Sequence, residues 1–488
     1  MVSVLLLAFL PLAATPEAEG VSSHQVMKWI DACERKIDCL HGFVLLRHGK
    51  VIAEGSWKPY DTLNETHWLS SHTKCFTTTA IGMLVDEGKL DLDERVVDIL
   101  PDKLPAVVSE NLRMVRIRDL MTMNFGSEKS ERWHDDMDGD WAKAILASSF
   151  SRKPGQAFAY DSSATHLLGI IVARRSGKPL MDFLRERLFL PLGIEKAWTT
   201  FDPSGNPCAA WGFNLTTREI SLIGQLHLDR GVWQGRRLLS EDWVDLATTK
   251  QTWSGKTPTE RQANNDWLQG FGFSWWRCQH GCYRADGSGG QYTIVMPRYD
   301  AVLSINADVA DMQPILDLVW SDFLPAFSEN ALPDDSAVAT ALKDRCAHLA
   351  LSPVKGRADG LSEDFYGRDY VLTSAPRDLI SLRLEKAGKG WCLQMTTTAG
   401  VYRLPVGFGT WEQGTCMFST KKHQPYSYFV GSRRVASSAA VQEDGSLRLR
   451  MLLLSGPRRI DLTFRRKMFR PTVEGRMEGA SPIKAKLW

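Results

Sequence analysis

The stretch Ser71-His72-Thr73-Lys74 lies at the mouth of a helix and sets a hydroxyl and an amine one turn apart, which constrains both the local fold and the chemistry open to it. Positions three apart share a helix face, so Lys74 Nζ can reach Ser71 Oγ and act on its proton. The string alone says little, because roughly two Ser-x-x-Lys matches arise by chance in a chain of this size, and this chain has four. Ser352–Lys355 and Ser481–Lys484 carry proline directly after the serine, and Ser419–Lys422 sits in a polar segment. Only after Ser71 do Phe76, Ala80, Met83 and Leu84 recur at helical spacing on one apolar face, with Gly88 as a C-terminal stop. The competing reading makes Ser71 a simple N-cap.

The 488 residues exceed one ordinary domain, and 43% apolar with 24% charged residues describes globular protein. A net charge of +2, with no basic block interleaved with aromatics, argues against nucleic-acid binding. Nine scattered cysteines do not make a disulfide framework, and none has partners at zinc spacing, so no metal or cofactor is expected. Cys75, next to Lys74, is read as packing. Residues 1–14 begin with an apolar run long enough for a signal h-region but too short to span a bilayer, and nothing later approaches a membrane span.

Residues 22–38 carry Val26, Trp29, Ile30, Cys33 and Ile37 at helical spacing, and two apolar runs then flank His48-Gly49 as a hairpin. A helical, loop-broken region follows from Leu92, with an acidic aromatic insert between Trp133 and Trp141. Tyr160 falls on a turn before a helix closed by Ser176-Gly177. Residues 271–306 read as adjacent antiparallel strands, and Ile315 to Phe323 as a last apolar helix. The expected fold class is α/β (α+β): an antiparallel sheet covered by N- and C-terminal helices, with an inserted helical subdomain. Residues 328–360 turn polar and read as a linker, and 361–488 read as a C-terminal all-β domain, a small barrel or sandwich.

Three features now stand in order: Ser71-x-x-Lys74, Tyr160-Asp161-Ser162, and Ala285-Asp286-Gly287-Ser288-Gly289-Gly290-Gln291 on a late strand. With "SHTKCFTTTAIGMLVDEGKLDLDERV", "RDLMTMNFG" and "FAYDSSATHLLGIIVARRSGKPL", the chain from Thr15 to Ala326 resembles the serine β-lactamase and penicillin-binding-protein superfamily. The likeness is to its class C-like branch, which includes esterases, D-amino-acid peptidases and 6-aminohexanoate-dimer hydrolases. It implies a hydrolase domain over 15–327, and it weakens the signal-peptide reading of residues 1–14, so cytoplasmic residence is favoured over export.

The resemblance implies Ser71 as acylated nucleophile, Lys74 as the amine that eases its deprotonation, and Tyr160 as base and then acid, as a phenolate or by relay with Lys74. It implies Gly287 as the residue that lets substrate lie along the strand edge, and the backbone N–H groups of Ser71 and Ser288 as an oxyanion hole. Ser162, Ala285 and Asp286 occupy substrate-binding positions. Ser162 stands where relatives carry Asn, and Ala285 where they carry the Lys or His that holds a substrate carboxylate. Asp286 would repel such a carboxylate, and Arg284, one position away on a strand, should point opposite to Ala285. His72 is read as structural. The implied activity is hydrolysis of a small-molecule ester or amide through an acyl-enzyme. A β-lactamase or D-amino-acid peptidase, an acyltransferase and a non-catalytic penicillin-binding-like module stay open as alternatives, and nothing in the sequence fixes an oligomeric state.

Overall fold

The computed structural model describes residues 10–127, 139–261, 264–374, 379–418, 432–467, 470–477 and 482–487. Residues 1–9, most of the insert beginning at Trp133, Ser419–Lys422 and Ser481 lie outside the described residues. Pro11 to Ala13 run beside the sheet edge, where Ala13 N–H donates to Val51 O at 2.9 Å.

The architecture is mixed helix and sheet. Strand β1 (Leu40–Arg47) is buried at all eight positions, as a central strand covered on both faces must be. It turns into β2 (Lys50–Ser56) through His48 and Gly49, whose φ angles of 51° and 68° suit the two left-handed positions of a tight hairpin. The chain then leaves the sheet. It forms the short pair β3 (His67–Trp68) and β4 (Asn214–Leu215), then a small ribbon of β5 (Val232–Trp233) and β6 (Arg236–Arg237). It returns as β7 (Trp276–Arg277), β8 (Tyr283–Gly287), β9 (Gln291–Met296) and β10 (Ala301–Ala307). The order is β2-β1-β10-β9-β8-β7, antiparallel throughout.

Alternation along the strands separates two cores. Phe43, Leu45, Leu303 and Ile305 pack against Val26, Trp29 and Ile30 of α1 (Ser23–Lys36) and against Ile315, Leu316, Val319 and Phe323. Val44, Leu46 and Val302 pack on the opposite face, with α2 (Thr73–Asp86), the helix Ser162–Ser176 and the helix Thr217–Leu228. Helix α2 differs from the one-sided stripe expected of it: every residue from Thr73 to Leu84 is buried. Its threonines are buried because their hydroxyls find carbonyls, Thr77 on Ala209 O and Thr78 on Phe273 O.

The segment 328–360, expected to be a polar linker, contains a helix at Ser336–Ala347 capped by Asp335. Leu342, Cys346 and Leu349, at i, i+4 and i+7, bury against the α1 side of the sheet, a stripe masked in the sequence by surrounding Ala and Asp. Beyond it come β11 (Tyr370–Ser374), β12 (Leu379–Ala387), β13 (Gly390–Thr397), β14 (Gly400–Phe408), β15 (Glu412–Met417), β16 (Ser432–Val441), β17 (Leu447–Leu453), β18 (Arg459–Lys467), β19 (Arg470–Met477) and β20 (Pro482–Leu487). They form an antiparallel ladder running from β14 round to β15, and β14 also pairs in parallel with β16, next to that far end, giving a barrel-like all-β domain. Leu447, Leu449 and Met451 point inward at every second position.

Candidate active site

Ser71 sits in a tight turn at Ser70–His72 that leads into α2. The turn is strained: Ser70, 3% exposed, holds φ at 50°, a region that residues other than glycine seldom occupy. The competing N-cap reading of Ser71 finds no capping bond, since no side chain caps α2. Instead Lys74 Nζ donates to Ser71 Oγ at 3.0 Å, to Ser162 Oγ at 3.1 Å and to Ala210 O at 2.8 Å. All three donor positions of one ammonium group are therefore committed. Ser71 keeps partial exposure, whereas Lys74 is 2% exposed. Burial pushes the Lys74 pKa down to about 7, against the opposing pull of the Asp286 and Asp161 carboxylates.

Tyr160 lies outside any helix or strand just before the extended residue Asp161, whose carboxylate caps the helix Ser162–Ser176 by accepting from Ser163 N–H at 2.8 Å. The ring stacks on Trp276 with centroids 5.6 Å apart, and Lys74 Nζ is 5.1 Å from the ring centroid. Burial raises the phenol's pKa well above the usual tyrosine value, with the Asp286 carboxylate adding to the rise and the Ser71 hydroxyl opposing it. Ser71, Lys74, Tyr160 and Ser162 thus converge, Ser162 as a hydrogen-bond partner of Lys74.

Strand β8 brings in the third segment. A methyl placed on Gly287 would lie 2.0 Å from Leu69 O and 3.1 Å from His72 N, so this position requires the smallest residue for β8 to reach the backbone of the Ser71 turn. Ser288 is exposed just beyond it. Gln291 buttresses this turn by donating to Ser288 O at 3.3 Å and Ala307 O at 2.7 Å while accepting from Asn306 Nδ2 at 2.9 Å.

The Ala285 and Asp286 expectations need correction. Ala285, 1% exposed, packs into the apolar core, and Asp286 is turned to Arg284, with Oδ2 3.0 Å from Nε and 2.9 Å from Nη2. Residues two apart share a strand face, so Arg284 does point away from Ala285, and it lands on Asp286. The pair is formally neutral, which removes the simple repulsion expected of Asp286. Burial raises the Asp286 pKa against the lowering effect of Arg284.

His72 and Cys75 are enclosed beneath the site. His72 Nε2 lies 2.8 Å from Thr293 Oγ1, and burial pushes the ring's pKa down to about 3, so it is neutral. Cys75 donates to His72 O, and burial raises its thiol pKa well above the usual value. All nine cysteines are free and buried. Among the described residues no cluster of His, Cys, Asp or Glu is arranged to hold a metal ion, and no helix is long and apolar enough to cross a membrane. The carbonyl of Ala210 was not foreseeable from any motif. Its one trace is Gly169, where a methyl would lie 2.4 Å from Ala209 Cβ, so the helix bearing the second motif can press close to that loop.

This assembly of motifs accords with a match between residues 37–311 and the family model described as Beta-lactamase, more than half of the chain. The chain belongs to the β-lactamase family. Among curated relatives, the 6-aminohexanoate-dimer hydrolase of Paenarthrobacter ureafaciens is 25% identical over 311 residues, covering 59% of this chain and 78% of that protein. Penicillin-binding protein 4 of Amycolatopsis lactamdurans is 27% identical over 259 residues, 46% of this chain and 67% of its own length. Among solved structures, that of SurE with D-Leu aligns over 96% of this chain and 99% of its own at a TM-score of 0.50 and 20% identity, so the likeness in fold takes in the β-rich region too. Within this β-lactamase family the protein is a serine hydrolase.

Proposed function

We propose that this serine hydrolase cleaves an ester or small amide through an acyl-enzyme on Ser71. The observation carrying the reading is Lys74 Nζ, 3.0 Å from Ser71 Oγ, with burial holding its pKa at about 7. Near neutral pH a large fraction of that amine has a lone pair, so it can take the serine proton as Oγ bonds to the acyl carbon. Tyr160, with its pKa raised, stays a phenol, which favours the relay over the phenolate: it gives its proton to the leaving oxygen or nitrogen and regains one from the Lys74 ammonium. Water then attacks the acyl carbon, the same groups run in reverse, and Ser71 is released. Backbone N–H groups of Ser71 and Ser288 face the oxyanion in this scheme, each such donor contributing about 10²–10³ in rate. Ser162 and Ala210 O aim the amine.

Substrate choice follows from the third motif. Ala285 supplies no cation, and Arg284 is held by Asp286, so a carboxylate-bearing penicillin or D-alanyl peptide lacks its usual counter-charge. A substrate without that carboxylate is favoured. The name of the Paenarthrobacter ureafaciens relative describes hydrolysis of an amino-acid dimer, which supports the small-amide arm. We read the chain as a hydrolase domain over 15–327, with its sheet covered by terminal helices and interrupted by a helical subdomain, a connecting segment over 328–360 and a β-rich domain over 361–488.

The test is covalent labelling of the protein and of Ser71→Ala with a fluorophosphonate and with a fluorescent penicillin, beside hydrolysis of p-nitrophenyl butyrate. Fluorophosphonate labelling and ester turnover, both abolished in Ser71→Ala, are expected. Labelling by penicillin in preference would transfer the reading to a penicillin-recognising enzyme, and absence of any adduct would overturn it.

A further inference from the structure

Hairpin tips ordinarily stand in solvent. The turn that joins β17 to β18 does not: Gly456 and Pro457 at its tip are both buried. Its surroundings explain why. Trp68 N–H, three residues before Ser71, donates to Ser455 O at 3.0 Å. On the other side Pro457 Cβ lies 2.9 Å from where a side chain on Gly289 would begin, and Gly289 directly follows Ser288. With φ at 91°, Gly289 is held in a conformation that glycine favours, and that leaves room for the proline.

The turn is also stiff and firmly rooted. Leu453 N–H donates to Arg458 O at 3.0 Å, Arg458 N–H to Gly456 O at 2.9 Å, and Arg458 Nη1 to Pro457 O at 2.7 Å. At its base Leu452 and Leu454 pack with Cys39 and Tyr60 of the N-terminal region. Arg459, 6% exposed, places Nη1 2.8 Å from Asp38 Oδ2.

We infer that this barrel turn completes the active site, with Ser455 and Pro457 as positioning residues that hold the Ser71 turn and the Ser288 turn at the spacing an oxyanion requires. The inference rests on the acyl-enzyme reading. The two backbone donors stand on separate elements, and misplacement of about 1 Å can cost about 10²-fold in rate. The barrel turn touches both elements, one through a backbone hydrogen bond and the other through packing, whereas Lys74 donates to Ser71, Ser162 and Ala210. Its effect should therefore fall on transition-state stabilisation and leave the base alone.

The experiment uses the full chain, with Pro457→Gly, which removes the Cβ that meets Gly289, and a shortened hairpin in which Asn-Gly replaces Ser455–Pro457. Readouts are kcat and KM for p-nitrophenyl butyrate, the rate of fluorophosphonate labelling, the acid limb of the pH profile and thermal melting. The shortened hairpin should lower kcat and the labelling rate about 10²-fold, and Pro457→Gly about ten-fold. KM, the acid limb and the far-ultraviolet circular dichroism should keep the parent's values. Rates within about two-fold of the parent in Pro457→Gly, or a loss that travels with a shifted acid limb, would overturn the inference. If the shortened hairpin fails to fold, Pro457→Gly decides alone. Activity or labelling that survives Ser71→Ala would instead sink the acyl-enzyme reading.

Discussion

The N-terminal region and the barrel bury different things. Inward positions of the barrel are Leu, Met, Val and Phe, and from Tyr370 onward the one buried charged side chain among the described residues is Arg459, which turns out of the barrel toward Asp38. The N-terminal region buries Lys74, Arg284, Asp286, Asp266 and Asp202, together with His41, His67, His72, His166 and His227. Removing a charge from water costs several kcal/mol unless it is paired. One region follows the rule for stability alone. The other accepts destabilising groups, and of these Lys74, Arg284 and Asp286 gather where strand β8 meets the Ser71 turn, which is where perturbed ionisation is useful.

The sharpest way to break this contrast is Lys74→Met. Activity should fall about 10³-fold, in the range for loss of a general base, while stability at neutral pH rises by on the order of 1 kcal/mol, as for replacement of a buried charged group by an apolar one. The sign with pH follows from the lowered pKa. Between the usual lysine value of 10.5 and about 7, the unfolded chain holds a proton that the folded chain does not. The parent therefore loses stability relative to Lys74→Met as pH falls through that window, and the difference levels off below it. Melting curves across that range would reveal the opposite slope if the amine were stabilising.

Leu462→Ala should do the reverse. This side chain is 1% exposed in the barrel core, so its truncation should destabilise the fold by about 3 kcal/mol. Below the melting transition, kcat and its acid limb should stay as in the parent, since Leu462 is remote from the ionisable cluster. Urea unfolding and a pH–rate profile of the same sample check both halves.

The smallest expected effect on turnover is in Asp286→Asn, although unpairing the buried Arg284 should destabilise the fold by about 3 kcal/mol. That carboxylate favours the Lys74 ammonium, so its removal should lower the pKa of Lys74 and move the acid limb of kcat/KM to lower pH. A limb that stays in place or moves upward would show that Lys74 is not the titrating group.

What could be read without coordinates follows from distance along the chain. Ser71 and Lys74 are three apart on a helix, so their meeting is a local consequence of helical geometry. Arg284 and Asp286 are two apart on a strand, so their shared face is equally local. That the Ser162 hydroxyl accepts from Lys74 was not legible, because it depends on the approach of the helix Ser162–Ser176 to α2. The one-sided apolar stripe of α2 was misleading for a similar reason. Threonines count as polar in a periodicity, but here carbonyls from Ala209 and Phe273 satisfy them inside the protein.

Periodicity and motif order therefore established the kinds of element, the pairing of a serine with a lysine and the likeness to a family of serine hydrolases, because those depend on neighbours within a few residues. Only the tertiary structure decided that Lys74 is dry enough for its pKa to fall to about 7, that Asp286 is answered by Arg284, and that a barrel turn lies against Gly289. Burial is the sum of what distant segments bring to one place, and ionisation follows burial, so the reactivity of a local motif is set by parts of the chain far from it.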